Sequence, residues 1–97
     1  MPIFVILAKM TEEGIRAIKT LEDRQKAAAK IVDDAGGKIL GLYYTLGRYD
    51  WVSIVEGPSI EAAMKSLFIF GAAGGSQTET LVAVTGEEAA KIAKSLP

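Results

Sequence analysis

Ile3-Phe4-Val5-Ile6-Leu7-Ala8 carries no polar residue at either parity. Successive side chains of a strand point to opposite faces, so a sheet with one solvated face alternates apolar and polar residues. This stretch does not alternate, and it predicts a strand covered on both sides. The other strand-like stretches, residues 38–46, 51–56 and 78–84, are read in the same way, as apolar on both faces. Between them lie two helical patterns. In residues 21–35, Ala28, Ile31, Val32 and Ala35 form one apolar stripe, and Gly36-Gly37 ends the helix. The second opens at Ser59 as N-cap, with Ile60, Ala63, Met64 and Leu67 as its stripe, and stops at Gly71. Thr11 is a further N-cap, but Gly14 weakens the helix it would open, so residues 11–18 are expected to form a short or irregular turn. Residues 86–96 read as a short last helix with a Glu87–Lys91 pair.

The order βαββαβ plus a terminal helix predicts an α+β ferredoxin-like plait, a single domain over residues 1–97. Right-handed crossovers put both main helices on one side of the sheet. The other side is left bare, and a helix of about ten residues cannot cover four strands. Such a face exposes roughly 600–800 Å², which is one partner's share of a standard interface. Burying it at ~25 cal/mol per Å² is worth about 15 kcal/mol before association costs. A homodimer through the open sheet face is the expected solution.

Composition narrows the chemistry. Eleven basic and twelve acidic residues leave a net charge of −1, with no basic run for nucleic acid or anionic lipid. No apolar stretch approaches the roughly 20 residues needed to cross a bilayer. No basic segment precedes the first strand, so a cytoplasmic chain without a secretory leader is expected. Cysteine and histidine are both absent. That removes thiolate nucleophiles, cysteine–histidine zinc sites and Ser-His-Asp triads. No metal site and no cofactor are predicted. The glycine cluster Gly71-Ala72-Ala73-Gly74-Gly75-Ser76 lacks the Lys and Ser/Thr of a phosphate loop and precedes a strand, not a helix.

Thr45-Leu46-Gly47-Arg48-Tyr49-Asp50-Trp51-Val52 resembles the signature of the GYD domain family. The resemblance extends over nearly the whole chain. It takes in Thr11-Glu12-Glu13-Gly14, Gly36-Gly37, Tyr43, Glu56 with Pro58, and Thr78-Glu79-Thr80-Leu81. Lys19 and Arg24 fall where the family is expected to carry basic side chains, and Trp51 is bulkier than expected after the motif. The resemblance implies a dimeric α/β barrel. It brings no activity, since the wider superfamily mixes monooxygenases, isomerases, haem-dependent enzymes and proteins without a known reaction.

The candidate catalytic residues are Asp50, Glu56, Glu79 and Tyr43, and the candidate ligand-binding residues are Tyr43, Tyr49, Asp50, Trp51 and Arg24. Each has two readings. Asp50 either bonds backbone amides and holds the hairpin, with Gly47 permitting its turn, or serves as a base or anchor at a pocket mouth. Glu56 and Glu79, in apolar strands, are either paired, with Arg24 or Lys19 as partner, or act as acid–base groups. The tyrosines either pack at an interface rim or aim a hydroxyl into a cavity. A two-residue loop at Arg48-Tyr49 sets Tyr44 opposite Ser53 and Tyr43 opposite Ile54, and a bulge swaps them. Two functions are compatible with these residues. One is a binding or regulatory module for a small apolar ligand. The other is a cofactor-free isomerase or monooxygenase for a small apolar carbonyl or aromatic compound, which requires a closed cavity of roughly 300 Å³ or more lined by these residues. A third reading makes the last helix an assembly element.

Overall fold

The computed structural model describes residues 1–97. Chain order is β1 (Ile3–Met10), α1 (Glu12–Arg16), a 3-10 turn (Ile18–Thr20), α2 (Leu21–Asp34), β2 (Lys38–Tyr44), β3 (Trp51–Glu56), α3 (Ile60–Ala72), β4 (Ser76–Ala83) and α4 (Gly86–Lys94). The four strands form one antiparallel sheet in the order β2-β3-β1-β4. This is the ferredoxin-like arrangement. The strand that carries the unbroken apolar run Ile3–Ala8, β1, is one of the two central strands. Its Ile6 stands opposite Ser53 on one side and Thr80 on the other.

Register divides the sheet into two faces. Phe4, Ala8, Trp51, Ser53 and Val55 are buried on the face under α2 and α3. Ile3, Val5, Leu7, Val52 and Ile54 take the opposite face by parity and are half-buried. No helix lies over them. α4 stands off the body, with every residue from Val84 to Pro97 exposed, and the molecule extends 53 × 31 × 17 Å.

Local signals explain most boundaries. Thr11, Ser59 and Thr85 each accept a hydrogen bond from the backbone N–H three residues on, at 3.0–3.1 Å. A cap of this kind is worth about 1 kcal/mol. Gly14 does shorten the first helix, and a 3-10 turn links it to α2. Gly14 is also buried, packed so closely against the Gly75 carbonyl that a Cβ there would collide with it.

Four expectations are corrected. First, β2 ends at Tyr44, and a six-residue loop, 45–50, joins it to β3. Tyr44 pairs with Trp51 and Tyr43 with Val52, two residues from the register of a two-residue loop. An even shift keeps the faces, so Tyr44 lies toward the helices and Tyr43 away from them. A bulge does occur, but at Leu40, far from the loop. Second, the α3 stripe is rotated. Ala63 and Leu67 turn inward with Ala62, Ser66 and Phe70, whereas Ile60 and Met64 are exposed. The helix offers two apolar stripes, and the sheet takes the one whose Phe70 meets Trp51 edge-on at 5.7 Å. Third, β4 is not apolar on both faces. Ser76, Thr78 and Thr80 point toward the helices, and Gln77 and Glu79 away from them. Fourth, neither Glu56 nor Glu79 pairs with Arg24 or Lys19. The ion pairs are the exposed helical pairs Glu12–Arg16, Glu22–Lys26, Lys30–Asp34 and Glu87–Lys91.

Candidate functional site

The two helices do not close on the sheet. Between them runs a partly open cleft of about 240 Å³. Its floor is the inner sheet face, with Phe4 and Ile6 from β1, Trp51, Ser53 and Val55 from β3, and Tyr44 from β2. α2 contributes Arg24, Ala28, Ile31 and Val32 to the roof, and α3 contributes Leu67 and Phe70. Small residues on the helices, Ala28, Ala62, Ala63 and Ser66, leave the space unfilled. The polar groups of the floor are partly committed. The Trp51 indole N–H donates to Ser76 Oγ at 3.1 Å, and Ser53 Oγ donates to the Gly41 carbonyl at 3.1 Å. Arg24 is half-buried and lies against Gly75, where any Cβ would strike its guanidinium. It is the only basic residue on the cleft wall, and it makes no ion pair.

The candidate residues divide between this cleft and the hairpin. Arg24 and Trp51 line the cleft. Glu56 borders it at the opposite end of β3, where its carbonyl faces Gly37, while parity sends its side chain with Val52 and Ile54. Tyr43 is exposed on the bare sheet face. Asp50 and Tyr49 lie together at the other end of the sheet. The Asp50 N–H donates to the Ala8 carbonyl at 2.8 Å, and the Asp50 carboxylate accepts the Met10 N–H at 2.7 Å. The Tyr49 hydroxyl donates to Glu79 Oε2 at 3.1 Å, and Arg48 sits over the Tyr49 ring at 6.0 Å. Thr45 closes the loop, its N–H donating to the Asp50 carbonyl and its hydroxyl to the Tyr49 carbonyl. Gly47 supplies the positive φ of 101° that the loop needs. The motif thus straps β3, β1 and β4 together at one end.

Asp50, Glu79 and Tyr43 therefore share no wall with Arg24 and Trp51. Sequence reasoning missed Ser76, Thr78 and Thr80, which edge the cleft on β4. Their alternation at every second residue was a usable signal. The ammonium of Lys30 is held above the ordinary lysine range by its hydrogen bond to Asp34 and by that carboxylate's charge, but it is fully exposed and off the cleft.

A family model described as GYD domain matches residues 4–93. The chain belongs to the GYD domain family. Among curated proteins, one from Thermus thermophilus is similar, 27% identical over 85 residues that cover 87% of this chain and 90% of the relative. It is named glutamine synthetase and cystathionine beta-lyase binding protein. Solved structures share the fold of this GYD domain. The crystal structure of FFRP-DM1 superposes with a TM-score of 0.61 at 17% identity, covering 87% of this chain and all of that one. That of TTHA0845, also from Thermus thermophilus, gives 0.57 at 19% identity, covering 89% and 96%. A Rhodopseudomonas palustris protein of unknown function, RPA0582, gives 0.53 at 17%, covering 87% and 83%.

Proposed function

We propose that this GYD domain is a cytoplasmic, homodimeric binding module that takes a small, largely apolar molecule in the helix–sheet cleft, with a regulatory rather than catalytic role. The cleft itself carries the reading. Protein interiors normally hold few voids larger than a water molecule. Were the partly open cleft of 240 Å³ to stay dry and empty, it would cost at most about 6 kcal/mol at ~24 cal/mol per Å³, an upper bound because its open side admits water. That is comparable with the whole stability of a small domain. An apolar lining gives water few partners, so an apolar occupant satisfies the space best.

Against the isomerase or monooxygenase reading stand the missing histidine and the dispersal of the carboxylates. The Asp50 carboxylate holds a backbone amide, and Glu79 accepts from Tyr49. The dimer is supported by the bare sheet face, where Tyr43 and Leu81 are 60% and 48% exposed beside the half-buried Val5, Leu7 and Ile54. Two such faces meeting form the dimeric α/β barrel implied by the family. A second reading, a module that binds other proteins, draws on the printed name of the Thermus relative and on the uncovered Ile92 and Leu96 at the C-terminal end.

Native mass spectrometry of the purified protein tests both parts. A dimer retaining a small molecule is expected, and Ala63→Phe, which fills the cleft, should release the molecule and leave the dimer. A protein that retains nothing, and whose Trp51 fluorescence shows no saturable response to small apolar compounds, overturns the binding reading. A monomer at micromolar concentration overturns the assembly.

A further inference from the structure

The cleft is not uniformly apolar. Its only cation sits at one end, where the Arg24 guanidinium lies over Gly75 and the hydroxyls of Ser76 and Thr78 follow on β4. Away from that end, Ile31 and Val32 of α2 and Phe4 and Val55 of the floor make a hydrocarbon wall. Arg24 has no carboxylate within ion-pair distance. Glu13 lies over the adjacent Gly74 and does not pair with Arg24. The guanidinium of this half-buried arginine is unpaired beside apolar surface, and its planar fork of N–H donors matches a carboxylate in two parallel bonds.

We infer that the cleft takes a small monocarboxylate with an apolar tail, its carboxylate held by Arg24 at the Gly75 end. This rests on the cleft-binding reading and adds the chemical class of the ligand. One cation on the wall matches one negative charge, whereas a phosphate dianion would be left half-compensated. The Ser76 and Thr78 hydroxyls are placed to donate to the remaining lone pairs. Size sets the tail. The 240 Å³ correspond to about eight water-sized volumes at roughly 30 Å³ each. A medium-length aliphatic chain or a single aromatic ring fills that space, and a long-chain fatty acid does not.

Trp51, the only tryptophan, lies on the cleft floor and reports occupancy. Its fluorescence is titrated with sodium octanoate and with 1-octanol, the uncharged counterpart, at neutral pH. Both should give saturable responses, with octanoate at least about ten-fold tighter, as a charge-assisted pair requires. Arg24→Gln should bring octanoate down to the affinity of octanol and leave octanol unchanged. Arg24→Lys should recover part of the preference, because the charge returns without the fork. Equal affinity for acid and alcohol in the wild type, or a preference that survives Arg24→Gln, overturns the assignment to Arg24 while the cleft remains a binding site. Response to neither compound overturns the cleft reading and this inference with it. Should Arg24→Gln fail to fold by circular dichroism, the wild-type comparison and Arg24→Lys decide the matter alone.

Discussion

The carboxylate of Asp50 accepts the backbone N–H of Met10 at 2.7 Å, joining the start of β3 to the end of β1 across forty positions of sequence. The same residue's N–H donates to Ala8, so Asp50 carries the β1–β3 ladder one step beyond the regular pairing. Removing the acceptor strands a partly buried donor, which costs about 1–3 kcal/mol. Asp50→Ala is therefore expected to lower stability by that amount. Asp50→Asn keeps an oxygen in place and should cost under about 1 kcal/mol. Urea unfolding followed by Trp51 fluorescence at fixed protein concentration measures both. Equal losses in the two variants would show that charge, not the hydrogen bond, holds the strand.

Two glycines separate backbone strain from crowding. Gly47 has φ 101° and nothing within 4 Å of a built Cβ, so Gly47→Ala should cost about 1–2 kcal/mol from conformation alone. Asparagine tolerates positive φ better, and Gly47→Asn should cost less. At Gly14 a Cβ would meet the Gly75 carbonyl, which is already fixed by the Thr11 N–H at 3.1 Å. There Gly14→Ala should cost about 1–3 kcal/mol by overpacking, and Gly14→Asn more. The opposite ordering of alanine and asparagine at the two sites is the diagnostic, read from thermal or urea midpoints.

Tyr49 and Glu79 give a contrasting case, because their bond is exposed. Tyr49→Phe and Glu79→Ala should each shift stability by less than about 1 kcal/mol. Their double variant should cost less than the sum, since one removal already breaks the contact. Strict additivity in the cycle would mean the bond is not held in solution.

The parts of this fold that are legible in sequence are those that local chemistry decides. The unbroken apolar run Ile3–Ala8 marked β1 as a strand, and Thr11 and Ser59 marked their helix starts. What was not legible depends on distant partners. The hairpin register hangs on Thr45 bonding Asp50 and on Asp50 bonding Met10, and no rule of loop length contains the second contact. The buried face of α3 was ambiguous because Ile60, Met64 and Phe68 form a stripe as apolar as the one that Trp51 selects through Phe70. Within the candidate site, the Gly47–Asp50 motif is legible in sequence, yet of the whole signature stretch only Trp51 reaches the cleft. Arg24 reaches it only because Gly75, on the far side of α3 in sequence, has no side chain.

The open sheet face yields the sharpest prediction about assembly. Leu81 is 48% exposed on β4 and directly opposite Val5 on that face, so a lysine there meets water in the isolated chain and costs the fold little. In a face-to-face dimer the same lysine is buried with no anionic partner assured, which is strongly unfavourable. Leu81→Lys should therefore leave the circular dichroism spectrum unchanged while raising the dimer dissociation constant by at least about 100-fold, or about 2.7 kcal/mol. Size-exclusion chromatography with light scattering across a dilution series reads this directly. Val82, one residue on and 68% exposed, points to the other side of the sheet, and Val82→Lys should leave the dimer intact. If both lysines dissociate the protein, or neither does, the copies do not meet through this face.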